Sequence, residues 1–119
     1  MYTIKKEFHF SSAHQLTGLP DTHPCSRLHG HNYVLAVFLK SETLDDTGFV
    51  KDYRELDFIK KYVDEVLDHQ FLNEVFPLIN TTVENMCREM FELFKPNLTQ
   101  LIAIEMSETP KTACRYEKH

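Results

Sequence analysis

Apolar and polar positions alternate along "TIKKEFHF", with Ile4, Phe8 and Phe10 in one phase. Period-two alternation predicts a strand with one buried face over residues 3–10. The next stretch, "SSAHQLTGLPDTHPCSRL", is polar and contains Gly18, Pro20 and Pro24. It reads as a long loop, and its histidines and cysteine make it a functional one. Alternation returns over residues 29–40. Tyr33, Leu35, Val37 and Leu39 share one face, while Val34, Ala36 and Phe38 share the other. Both faces of this second strand are apolar, so both need cover.

The period then lengthens. "DYRE" opens a helix with Asp52 as N-cap and Glu55 three residues on, a capping-box pattern. Leu56, Ile59, Val63, Val66 and Leu67 recur at helical spacing. "NTTVEN" opens a second helix, with Thr81 and Glu84 in the same register. Its apolar stripe is Val83, Met86, Cys87, Met90, Phe91 and Phe94, and Pro96 lies just past its end. "LIAIEMSE" and "TACRYE" read as two further strands turned around Pro110. The order ββααββ predicts an α+β fold: a four-stranded antiparallel sheet with two helices on one face. The other face would stay wet in a monomer. That predicts a homo-oligomer, its sheets closing edge to edge into a barrel.

Composition narrows the partners. A chain of 119 residues, 42% hydrophobic, suits one domain spanning 1–119. The net charge of −5 and the lack of a basic block exclude nucleic acid. No apolar run is long enough to span a bilayer. The charged N-terminus, "MYTIKKEFHF", is no signal peptide. Cys25, Cys87 and Cys114 are odd in number and irregularly spaced, which suits reduced thiols in the cytoplasm.

Chemistry concentrates in "LHGHNY". On a strand, His29 and His31 point the same way. His14 follows the first strand, so an antiparallel neighbour would bring it beside them. Three imidazoles suit zinc with one open position, although copper, nickel or iron would also accept them. Spacing alone does not separate this site from three unrelated surface histidines. Cys25, four residues before His29, has polar neighbours and reads either as a fourth, closing ligand or as a free thiolate near a cation. In the first case the protein is a non-catalytic zinc module. Cys87 and Cys114 read as small buried hydrophobes. Asp68 beside His69 suits proton transfer, but a direct bond between adjacent side chains requires a turn there. Glu105 faces away from its apolar neighbours. Glu108 begins the turn "ETPK" and by itself reads as a solvated turn acid, although a carboxylate at a strand end can also accept two N–H donors of a heterocycle. His23, near Cys25, reads as substrate-facing, and His9 as structural.

"SSAHQL", "CSRLHGHNY", "GFVKDYREL", "LDHQFLN", "TTVEN" and "SETPKTACRY" occur in the order found in the 6-pyruvoyltetrahydropterin synthase family. The chain resembles that family from Phe8 to Tyr116. The short gap between Cys25 and His29 resembles its bacterial branch, 6-carboxytetrahydropterin synthase of the queuosine pathway. The resemblance implies the tunnelling fold (T-fold), with trimers stacked as a homohexamer and pockets between subunits. It implies zinc on His14, His29 and His31, Cys25 as base, and Asp68 with His69 as the second proton-transfer pair. Glu108 would anchor the pterin, and Thr81, Thr82 and Glu84 would belong to the pocket wall. Arg27 and lysines are candidates for the triphosphate. The implied substrate is 7,8-dihydroneopterin triphosphate. The implied products are 6-carboxytetrahydropterin, acetaldehyde and triphosphate, with 6-pyruvoyltetrahydropterin as the alternative product.

Overall fold

A computed structural model describes residues 1–118. Four strands lie in the order β1-β2-β3-β4, antiparallel throughout: β1 (Tyr2–His14), β2 (His29–Ser41), β3 (Leu101–Thr109) and β4 (Thr112–Glu117). The predicted α+β class and strand count hold.

The first hairpin is longer than its hydrophobic pattern predicts. β1 continues past Phe10 to His14, in unbroken register with β2 from Tyr2↔Ser41 to His14↔His29. Ser11, Ser12 and Ala13 carry no alternation, which is why they read as loop. Pairing holds them extended: Ser11 Oγ donates to Asn32 Oδ1 at 2.6 Å, and Ser12 Oγ donates to the Leu67 carbonyl. His14 is therefore the last residue of a strand rather than part of the loop. The long hairpin stretches the molecule to 56 × 27 × 26 Å.

The first predicted helix is three pieces. A 3-10 turn (Tyr53–Leu56) leads into α1 (Asp57–Tyr62), which widens into a π-turn (Val63–Leu67). Asp52 caps the start through Arg54 N at 2.9 Å. The π-turn closes with Asp68 N donating to Val63 O at 2.8 Å. A short helix that periodicity missed, α2 (Leu72–Val75), follows. Four residues are too few to show a period.

The second predicted helix is α3 (Val83–Phe94), and Pro96 falls in the 3-10 turn that ends it. Its cap is shifted by one residue. Thr82, not Thr81, is the N-cap and accepts from Asn85 N at 3.2 Å. Glu84 is exposed one position short of the capping-box site. We expect Thr82→Ala to cost about 1 kcal/mol in a urea melt, the usual loss of a side-chain cap.

The inner sheet face and the helices share one core. Phe8, Phe10, Tyr33, Leu35, Val37 and Leu39 meet Leu56, Ile59, Leu67, Met86, Phe91 and Phe94 there. The outer face has an apolar stripe one strand wide. Along β2 it is Val34, Ala36 and Phe38, and the Arg115 guanidinium lies 4.4 Å from the Phe38 ring centroid. Glu105 does face outward, as its phase predicts, and pairs with Arg115 at 3.0 Å.

Candidate metal centre

The β1–β2 register places His14 opposite His29, and the pleat puts His31 on the same face. The ligand nitrogens of all three lie within 4.8 Å of one another, and His14 Nε2 is 3.0 Å from His29 Nε2. Tetrahedral zinc, at about 2.0–2.1 Å from each nitrogen, spaces its ligands by roughly 3.3 Å. The His14–His29 pair is near that spacing, and His31 lies within 4.8 Å of both.

Backbone carbonyls fix the tautomers of two of the rings. His14 Nδ1 donates to the Thr81 carbonyl at 2.8 Å, and His29 Nδ1 donates to the Arg27 carbonyl at 2.7 Å. Protons held on Nδ1 leave Nε2 lone pairs facing the cluster, the usual outer support of a metal-bound histidine. Burial pulls His14 and His31 below the ordinary imidazole range. Both are then neutral, the ligating form, near pH 7. Donor type, tautomer and spacing all fit a divalent metal.

Beside the cluster runs an open groove of about 740 Å³, lined in part by His31, Tyr33, Asp68 and Glu108. His9, read as structural, is exposed along its wall. Glu108, near the end of β3 and 31% exposed, has Oε2 3.5 Å from His31 Nε2 and 4.0 Å from His14 Nε2. Its charge and the burial of the ring push the Tyr33 phenol upward, burial more strongly.

Asp68 and His69 are joined after all. His69 takes a left-handed backbone, φ 56°. That conformation costs about 1–2 kcal/mol for a residue with a Cβ. It is held by His69 N donating to Ser11 O at 2.6 Å. The turn swings the ring back, and Nδ1 lies 2.8 Å from Asp68 Oδ2. Asp68 Oδ1 accepts from Ser11 N at 2.9 Å. That bond, and the one from His69, hold the Asp68 carboxyl below its ordinary value of 3.8. A depressed carboxyl stabilises the fold above that value and loses its contribution as pH falls through the folded one. Hence the stability difference between the parent and Asp68→Asn should be largest above pH 4 and shrink in stronger acid. Thermal melts across this range test it. The His69 ring is 82% exposed and lines a second recess that shares His31 and Gly30 with the groove.

The other candidates lie outside the groove. Cys25 sits in a 3-10 turn (Pro24–Ser26), half-buried, and its sulfur is not among the converging ligand atoms. His23 is exposed and caps that turn, its Nδ1 accepting from Cys25 N at 3.1 Å. Arg27 is exposed and contributes its carbonyl to His29. Thr81, Thr82 and Glu84 do not line the groove either. Thr81 is fully buried behind His14 and Thr82 caps α3. All three cysteines are unpaired. Burial raises Cys87 and Cys114 well above the reactive range, as their apolar settings predict. Sequence reasoning also missed two asparagines, Asn73 and Asn80, whose amides bind the backbone after His14.

Fold and site together define an α+β protein with three histidines positioned to hold a metal ion at the end of a long hairpin. The family profile described as 6-pyruvoyl tetrahydropterin synthase matches residues 3–119, and the chain belongs to that family. It is 34% identical over 125 residues to the 6-carboxy-5,6,7,8-tetrahydropterin synthase of Synechocystis, covering 98% of this chain and 93% of that one. The enzyme of that name from Bacillus subtilis is 27% identical over 97% of this chain and 84% of its own. Among solved structures, the 6-pyruvoyl tetrahydropterin synthase of Caenorhabditis elegans superposes with a TM-score of 0.87. It is 30% identical, and the match covers 99% of this chain and 96% of that one. No helix among the described residues is long and apolar enough to cross a membrane.

Proposed function

We propose that the protein is a zinc-dependent 6-carboxy-5,6,7,8-tetrahydropterin synthase, a carbon–carbon lyase. It converts 7,8-dihydroneopterin triphosphate and one water to 6-carboxytetrahydropterin, releasing acetaldehyde and triphosphate, on the route to queuosine and related 7-deazapurines. The observation that carries this reading is the three-imidazole cluster beside a groove lined by Asp68 and Glu108, with His69, paired to Asp68, in the adjoining recess. Full-length likeness to bacterial enzymes of that name supports it.

His14, His29 and His31 would hold the zinc. When bound, the metal supplies a Lewis acid for side-chain hydroxyls and acidifies the neighbouring C–H and O–H bonds. Asp68 fixes the His69 ring through Nδ1, leaving Nε2 free to exchange a proton with substrate. Cys25 acts as the base on the other side. Glu108 accepts N–H donors of the pterin ring as a bidentate carboxylate. Thr82, Glu84, His23 and Arg27 contribute to substrate binding where subunits meet, and Thr81 contributes from behind His14, through its carbonyl. The apolar outer stripe and the place of β1 at the edge of the sheet are the reasons to expect a homo-oligomer, a hexamer of two trimers.

A second product has its own support. The C. elegans structure carries the other name at 30% identity, so 6-pyruvoyltetrahydropterin is the alternative. A non-catalytic zinc module is disfavoured because Cys25 does not close the cluster. The test is to incubate the zinc-loaded protein with 7,8-dihydroneopterin triphosphate and weigh the products. A 6-carboxy product with acetaldehyde supports the proposal, a pyruvoyl product moves the protein to the other branch, and no turnover rejects the enzyme reading.

A further inference from the structure

β1 ends at His14, and beyond it Gln15 and Thr17 have no strand beside them. Their peptide groups are met instead by two side-chain amides. Gln15 N donates to Asn73 Oδ1 at 3.0 Å, and Asn73 Nδ2 donates back to Gln15 O at 2.7 Å. Thr17 N donates to Asn80 Oδ1 at 2.9 Å, and Asn80 Nδ2 returns to Thr17 O at 3.1 Å. An asparagine amide carries the same donor and acceptor as a peptide unit, so each acts as one residue of a neighbouring strand. Backbone N–H and C=O cannot be exchanged, so the reciprocal pattern settles which way each amide points.

The clamped segment holds something in turn. Leu16 N donates to Cys25 O at 2.9 Å, and Gln15 Nε2 donates to Ser26 O at 2.7 Å. Asn73 Oδ1 also accepts from Thr81 Oγ1 at 3.3 Å, and the Thr81 carbonyl supports His14. Two amides thus connect the metal ligand's support to the turn bearing Cys25. Between His14 and His29 that turn is the sole helical piece, and every other stretch is irregular.

We propose that Asn73 and Asn80 are positioning residues that set the Cys25 turn relative to the histidine cluster. This rests on the reading of Cys25 as the base. Losing either clamp frees residues 15–17 and lets the turn drift. Misplacement by about 1 Å costs up to roughly 100-fold in rate. The drift acts on turnover rather than on the metal.

The test uses the zinc-loaded protein and its Asn73→Ala, Asn80→Ala, Gln15→Ala and Cys25→Ala variants. Gln15→Ala removes only an exposed side chain, so its folding is not at risk. Zinc content, kcat and KM are measured, together with the rate of Cys25 alkylation by iodoacetamide, with Cys87 and Cys114 as internal references. For the two asparagine variants we expect retained zinc, kcat lower by about 10–100-fold and little change in KM. We also expect an altered alkylation rate at Cys25 alone in these and in Gln15→Ala. A general loosening of the fold would instead expose Cys87 and Cys114, and that result overturns the proposal. So does parental alkylation of Cys25 in all three clamp variants. Full activity in Cys25→Ala would reject the base reading separately, and the alkylation rates would still decide whether the clamps place the turn.

Discussion

His29→Ala should leave the protein without its metal. Among the described residues three imidazoles converge as the proposed ligands, and losing one leaves two. Loss of a mere outer-shell partner costs about 10–100-fold in metal affinity, so loss of a ligand should exceed 100-fold. His14→Ala should do the same and also lower the melting temperature. His14 is 1% exposed, its ring is T-shaped against His29, His31 and Tyr33, and its removal opens a polar hole behind Thr81. Zinc stoichiometry after dialysis against a chelator is the measurement. Parental zinc content in His29→Ala would remove His29 from the centre.

Cys25→Ala and His69→Ala should each lower kcat by about 10²–10⁴-fold, the range for a removed acid–base group. Combined, they should cost little more than the worse single change, because two groups serving one proton relay fail together. Strictly multiplicative losses would assign them to independent steps. Cys25→Ser should be nearly as poor as Cys25→Ala, since a hydroxyl is a far weaker acid than a thiol. Asp68→Ala should fall between: His69 keeps its ring but loses the carboxylate that aims it at 2.8 Å. Initial rates on the pterin triphosphate, normalised to zinc content, check all four.

Much of this molecule was legible in local pattern. Alternation over 29–40 marks β2, and the helical stripe from Val83 to Phe94 marks α3. The i, i+2 spacing puts His29 and His31 on one face of any strand. Those signals depend on a few neighbouring residues, so the sequence by itself determined the four strands, α3 and two of the three clustered histidines. The tunnelling architecture came from likeness of whole motifs to a family, while His14 joined the other two histidines on the expectation that the first two strands pair antiparallel, which the register bears out.

Other features needed partners distant along the chain, and only the tertiary structure decided them. β1 runs on to His14 because β2 pairs with "SSAH", which has no alternation of its own. Asp68 and His69 join because Ser11, far away in sequence, holds His69 in a left-handed turn. The N-cap falls on Thr82 because the Thr81 carbonyl is taken up by His14, which buries Thr81 beneath the metal centre. Asn73 and Asn80 look like ordinary loop polars until the backbone after His14 is beside them. Periodicity reports the face a residue presents. It carries no record of which peptide group, some sixty residues away, lacks a partner, and that need places the supporting side chains around the histidines.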